Sequence, residues 1–350
     1  MSNTVVPKKQ DMGVQHPAMR HLDLFACLEN NSLVEAEETL DVSYMSRSFC
    51  PSALPLRRQF ERGSTTKREV TTFRRTDQWF SVSVSTKPIH IPGESGGENV
   101  HFGLPYGAKA RLLILWMATQ ARALSHSSDR YMEIGRISEW LEEVGIAGNP
   151  DSVRSAKEQL VRLSVAEFTM SLTDRSRTRQ DSYNLMDSVI FANEDLRAYR
   201  DGELGQVRFP LGLKLSTRAY EEFCGPAVIP VSTQALRTIA NNAMAIDLYL
   251  YLSYRLPSIP PGETEMLTWK KLAKQFGAGE TPSRFRLVFL PSLEKALLAY
   301  EGANVDIQDE GLVLRFSPPE RKLFVVSGGS KRKSTPLLRT RTSNRVSAID

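Results

Sequence analysis

Apolar residues recur at helical spacing most densely in residues 103–123, GLPYGAKARLLILWMATQARA. Leu112, Leu115, Trp116, Thr119 and Ala123 share one face, and Ile114, Met117 and Ala118 widen it. So broad a stripe predicts a helix buried on most sides. The hundred residues before it keep no such rhythm. Residues 21–40 carry apolar positions for one or two short helices, 57–75 reads as basic loop, and WFSVSV at 79–84 alternates as a strand does. Pro88, Pro92, Gly93, Gly96 and Gly97 then break regular structure.

After the opening helix the signals come in a fixed order. Residues 131–145, YMEIGRISEWLEEVG, predict a helix through Ile134, Ile137, Trp140, Leu141 and Val144, with Gly145 placed to end it. Asn149-Pro150 marks a turn. Residues 151–163 predict the next helix, with Asp151 as N-cap. Val153, Ala156, Leu160 and Leu163 face inward, leaving Arg154, Ser155, Lys157 and Glu158 outside. Strands are expected at 167–173 and 183–191, around the polar loop RSRTRQDS. Helix, short helix, turn, helix, strand, loop, strand is the order of a winged helix-turn-helix.

The order then returns loosely. A short strand is expected at 207–211, helices at 217–223, 233–239, 241–255 and 268–276, and a break at Gly225, Pro226 and Pro230. A helix at 283–300 contains Pro291, which should kink or restart it. Residues 305–307 and 312–316 flank Asp309-Glu310-Gly311, a strand-turn-strand signal. The duplication is of pattern, without a close sequence repeat. The predicted fold is α+β and mostly α, with tandem winged helix-turn-helix domains and flexible basic flanks. Its divisions are a weakly structured region at 1–100, a first winged-helix domain at 101–200, a second at 205–320 and a basic disordered tail at 321–350.

Composition narrows the class. An apolar content of 41% over 350 residues supports sizeable cores. No run approaches a membrane span and the first residues lack a signal-peptide core, so a cytoplasmic protein without a membrane partner is expected. Cys27, Cys50 and Cys224 form neither a metal pair nor a disulfide framework. Placement of charge matters more than the net +5: residues 57–75 hold seven Lys/Arg against two acids, and 321–350 hold eight against one. Residues 103–320 carry 25 against 27. Basic flanks on a near-neutral body bind polyanions without regard to sequence, or simply solvate the chain.

The candidate chemistry is DNA recognition. The second helix of a helix-turn-helix presents its N-terminal side chains to base edges in the major groove. In the first unit those are Ser152, Arg154, Ser155 and Lys157, and the wing adds Arg175, Arg177 and Arg179 for phosphate or minor-groove contact. In the second unit Arg284 and Arg286 begin the corresponding helix, and Lys270, Lys271 and Lys274 on the preceding one suit phosphates. Asp309 and Glu310 would keep the second wing off DNA. The same charges would also suit ordinary exposed faces, or a partner-binding second domain.

Catalysis has no comparable signal. Gly93-Glu94-Ser95-Gly96-Gly97 resembles a serine-protease loop, but the double β-barrel with its His and Asp is missing. Residues 328–334, GGSKRKS, lack P-loop spacing. The five histidines hold no His-hydrophobe-His pair, and no acidic cluster suggests a polymerase. No catalytic residue, metal or cofactor is therefore expected.

GLPYGAKARLLILWMATQA, the ISEWLEEVGI helix and the SAKEQLVRL helix together resemble the core of plasmid-encoded RepA-type replication initiators. The stretches LTWKKLAKQFG, RFRLVFLPSLEKALLAY and GLVLRFSPP resemble the C-terminal part of that family, so the likeness runs over 102–319. It implies binding to double-stranded origin DNA, often at short repeats (iterons), duplex opening, and recruitment of the host initiator and helicase. It also implies copy control through repression of the protein's own gene, with a homodimer repressing and a monomer initiating. The rivals are a winged-helix transcription regulator, a nicking or priming enzyme at an origin, and a partner-binding protein.

Overall fold

The computed structural model describes residues 41–320, apart from 52–53, 62–67, 77–79, 93–95, 125–128, 135, 174–175, 192, 202–211 and 278–280. The helices expected at 21–40, the strand at 207–211, Cys27, Arg175 and the tail at 321–350 lie outside the described residues. What is described is mixed α/β, with helix exceeding strand.

Five strands precede the first described α-helix, with a 3-10 turn at Arg47–Phe49 after the first of them: β1 (Val42–Ser46), β2 (Thr72–Thr76), β3 (Phe80–Thr86), β4 (Ile89–Ile91) and β5 (Glu98–Val100). Only the alternation at 79–84 signalled them. β2 pairs with β3 and β4 with β5, while β1 and β3 also reach distant partners at 228–232 and 166–172; most of these strands are short, so the local pattern is short too. Helix α1 (Gly107–Ala123) follows and buries eleven of its 17 residues, as its wide stripe requires.

Next come β6 (Tyr131–Glu133), α2 (Ile137–Glu143), α3 (Pro150–Ser164), β7 (Ala166–Thr173), β8 (Thr178–Asn184), β9 (Met186–Val189), α4 (Asn193–Arg200) and β10 (Gly212–Leu215). The helix expected over 131–145 is thus two elements. Its first residues instead pair antiparallel with β10, Met132 opposite Leu213, a long-range contact invisible to local periodicity. Gly145, at φ 82°, does end α2. The N-cap of α3 is Asn149, not Asp151: its side chain accepts from the Ser152 N–H at 2.9 Å, and Pro150 occupies the first turn. Ala156, Leu160 and Leu163 are buried as expected, but Glu158 is buried too, drawn inward by Arg162. The hairpin between β7 and β8 is tighter than RSRTRQDS suggested, and Arg179 lies on β8 opposite Leu172.

The remainder is α5 (Thr217–Cys224), β11 (Val228–Ser232), α6 (Thr233–Ile239), α7 (Ala243–Arg255), β12 (Thr264–Thr268), α8 (Trp269–Phe276), α9 (Pro282–Ala299), β13 (Val305–Gln308) and β14 (Gly311–Arg315). Pro230, expected in a break, sits within β11 opposite Tyr44 of β1. A strand with a single neighbour tolerates a residue without an N–H. Likewise α9 continues through Pro291 instead of restarting.

Pairing separates the two halves. In the second, β12-β14-β13 closes the hairpin against the strand that lies between α7 and α8. In the first, the β7–β8 hairpin joins β2-β3-β7-β8, while β6 joins β6-β10-β9. The order of helices recurs, then, but not the pairing of strands.

One continuous apolar core runs from Met45 through Trp116, Leu160, Tyr249 and Phe289 to Leu314. Within it, Arg111 of α1 grips Asp247 of α7 through two 2.6 Å contacts, and both side chains are 4% exposed. The same guanidinium donates to the carbonyls of Leu54, Pro55 and Gly107 at 2.8–3.1 Å. A second buried cluster is built on Arg162, which bonds Glu158 at 3.0 Å and Glu69 at 2.5 Å. Burial alone would raise the Glu69 pKa, but the hydrogen bonds from Arg162 and Arg58 outweigh it and hold that carboxyl below the usual range.

Candidate nucleic-acid interface

Capping sets the start of α3, and so the position of the first candidate residues. Ser152 is half-buried, its N–H taken by Asn149. Arg154 is exposed and ion-paired with Asp151 one turn back. A surface pair of this kind is worth little and yields readily to a stronger anion. Lys157 is half-buried; burial lowers its pKa, and Asp195 pulls weakly the other way. On the hairpin, Arg177 and Arg179 are exposed, with Arg179 Nε 2.8 Å from Asp181.

In the second half Lys270, Lys271 and Lys274 lie exposed on α8, whose start Thr268 caps by accepting from the Lys271 N–H. Arg75 of β2 donates to the Lys274 carbonyl at 3.1 Å, tying α8 to the first half. Arg284 is exposed at the start of α9. Arg286 has structural work: its guanidinium lies 4.5 Å over the Trp269 ring and donates to the Asp309 carbonyl at 3.0 Å. Trp269 Nε1 bonds that same carbonyl at 2.8 Å. The β13–β14 turn is thus anchored on the two helices that precede it.

One feature joins the two candidate helices. An open cleft of about 470 Å³ has Ser155 of α3 on one wall and Val288 and Ser292 of α9 on another. The starts of α1 and α7 complete it. Its lining contains Arg57 and Lys109 and no Asp or Glu. Sequence reasoning missed both cations. Arg57 was absorbed into a basic loop, and Lys109 is the lone lysine of α1, one residue from the buried Arg111–Leu113 stretch, a signal that could have marked it.

Among the described residues no helix is long and apolar enough to cross a membrane. Residues 104–271 match the family model described as plasmid encoded RepA protein. The match ends within α8, leaving α9 and the β13–β14 hairpin outside it. No curated protein matches the chain. Two crystal structures of domains 2 and 3 of RctB, one of them of selenomethionine derivatives, are similar at low level. They share 11% and 12% identity, with TM-scores of 0.43 and 0.41. They cover 74% and 76% of this chain and 94% of their own. Across residues 104–271, which contain α1, the capped α3 and three walls of the cleft, the chain resembles the plasmid-encoded RepA family of replication proteins.

Proposed function

We propose that the protein is a plasmid replication initiator that binds duplex DNA at its origin through two winged-helix units. The observation that carries this reading is the cleft bordered by both candidate helices, α3 and α9, with a lining that holds cations and no acid. Neither the acid-free cleft nor the two exposed helix starts is needed to stabilise a core, and both suit a polyanion. The second half supports a winged-helix unit through its helix order and its β12-β14-β13 sheet. The first shares the helix order, and its β7–β8 hairpin still projects Arg177 and Arg179.

In this reading Ser152 and Arg154 read bases in the major groove, and Arg284 does so from α9. Lys270, Lys271, Lys274, Arg177 and Arg179 hold phosphates. Arg286 positions the second wing. The resemblance to RepA adds duplex opening, recruitment of the host initiator and helicase, and a dimeric form that represses. All of these are extensions of the DNA-binding reading.

Arg154→Ala tests it. Loss of one bidentate base contact should weaken specific binding by about 1–3 kcal/mol and relax preference at one position of the site. A footprint with unchanged sequence preference would remove α3 from the interface. Maintenance of a reporter plasmid carrying the gene and its upstream region in a naive host separates an initiator from a repressor.

A further inference from the structure

The electrostatics of the cleft are out of balance. Lys109 projects from the first turn of α1, is half-buried, and has no acidic partner among the described residues. Burial lowers its pKa, so the ammonium is held where its charge is penalised, and no charged group among the described residues offsets it. Arg57 stands on the same wall. Neutral donors surround them: the Ser155 hydroxyl and the Asn241 amide. Tyr106, at the N-cap of α1, supplies no side-chain cap; the Gly107 N–H is taken by the Pro55 carbonyl at 3.1 Å, and the start of the helix borders the cleft. Beside it Gln159, 1% exposed, accepts from the Tyr106 N–H at 2.8 Å, and its Nε2 has no partner. Gly107, at φ 74°, has only the Leu56 carbonyl within reach of a Cβ, at 3.9 Å, so the floor is open.

Core packing does not call for a half-desolvated lysine that has no acidic partner among the described residues, placed beside a second cation in a cleft lined by no acid. An anion entering the cleft would offset the penalised Lys109 charge. Its walls also belong to α3 and α9, the helices assigned to DNA.

We propose that the cleft is a phosphate site, walled by Lys109 and Arg57, that receives a backbone phosphate of the bound duplex. The source of the phosphate rests on the DNA-binding reading; the site itself does not. A phosphate seated there fixes α3 and α9 against one duplex, because both helices meet that phosphate's surroundings.

The test uses the full chain, wild type and Lys109→Gln, with Lys109→Arg as the conservative control. Binding to a fluorescent mixed-sequence duplex is measured by anisotropy from about 50 to about 200 mM KCl. Loss of one phosphate contact should flatten the slope of log K against log salt by about 0.9, and Lys109→Arg should restore it. Thermal unfolding with inorganic pyrophosphate and no DNA forms the second arm. The melting temperature of Lys109→Gln without ligand should equal or exceed that of the wild type, since an uncompensated charge is removed. A flattened slope supports the site and its DNA source. An unchanged slope, with pyrophosphate protecting the wild type and not Lys109→Gln, supports the phosphate site and replaces the source by a free anion. An unchanged slope with no difference in pyrophosphate protection overturns the proposal. A wild type that retains no duplex at low salt sinks the DNA-binding reading instead, and the pyrophosphate arm then decides the cleft by itself.

Discussion

Arg111→Met should be among the most damaging single changes in the chain. The guanidinium holds Asp247 through both of its oxygens and saturates three backbone carbonyls, with both charged side chains 4% exposed. Removing it leaves a buried carboxylate without a counter-charge, a defect that costs about 3–5 kcal/mol. At about 2 °C per kcal/mol for a chain of this size, the melting temperature should fall by about 6–10 °C. Asp247→Leu should cost a similar amount. The pair Arg111→Met/Asp247→Leu should cost about 2 kcal/mol less than the sum of the two singles, because neither charge is then stranded. Urea unfolding of the four proteins measures this directly. A loss below about 1 kcal/mol for Arg111→Met, or strict additivity, would show that the pair does not join α1 to α7. The functional consequence follows from geometry: both helices start at the cleft, so duplex affinity should fall in parallel with stability.

Gly103 adopts φ 69°, and a Cβ there would collide with the Glu69 carboxylate and the Arg162 guanidinium. Gly103→Ala should therefore cost about 1–3 kcal/mol in urea unfolding, whereas Gly302→Ala, with open space around it, should cost less despite its own positive φ. Glu69 is held below its ordinary pKa, so its contribution to stability is present above the unfolded value of about 4.3 and lost as pH falls through the lower folded value. Glu69→Gln should flatten the acid limb of a stability–pH curve, and an unaltered limb would exclude this carboxyl as a cause. Asn149→Ala should destabilise by about 1 kcal/mol through loss of the α3 cap, and Asp151→Ala by less. The reverse order would restore Asp151 as the cap.

What was legible in the sequence was what local spacing encodes. The wide stripe of α1, the inward face of α3 and the Asp309-Glu310-Gly311 turn all appear where the pattern predicts them. Departures occur where a distant partner decides. Tyr131–Glu133 becomes a strand because β10 pairs with it, and Pro230 enters a strand because β1 offers an edge. Glu158, polar and expected outside, is buried because Arg162 and Glu69 complete a network that spans 93 residues. The candidate site divides along the same line. Arg154 and Arg284 are exposed at helix starts, as spacing implied, while Arg286, stacked on Trp269, holds the β13–β14 turn through the Asp309 carbonyl. Lys109 and Arg57 could be recognised as neighbours only once the cleft had brought them together.

In the proposed function the chain reads duplex DNA with α3 and α9. Selection of bound duplexes from a random-sequence pool tests it most directly, carried out in parallel with the wild type and Arg154→Ala. The wild type should enrich a short directional motif, and Arg154→Ala should lose preference at one position within it. A pool that emerges without an enriched motif, or the same motif at full strength from both proteins, would contradict it.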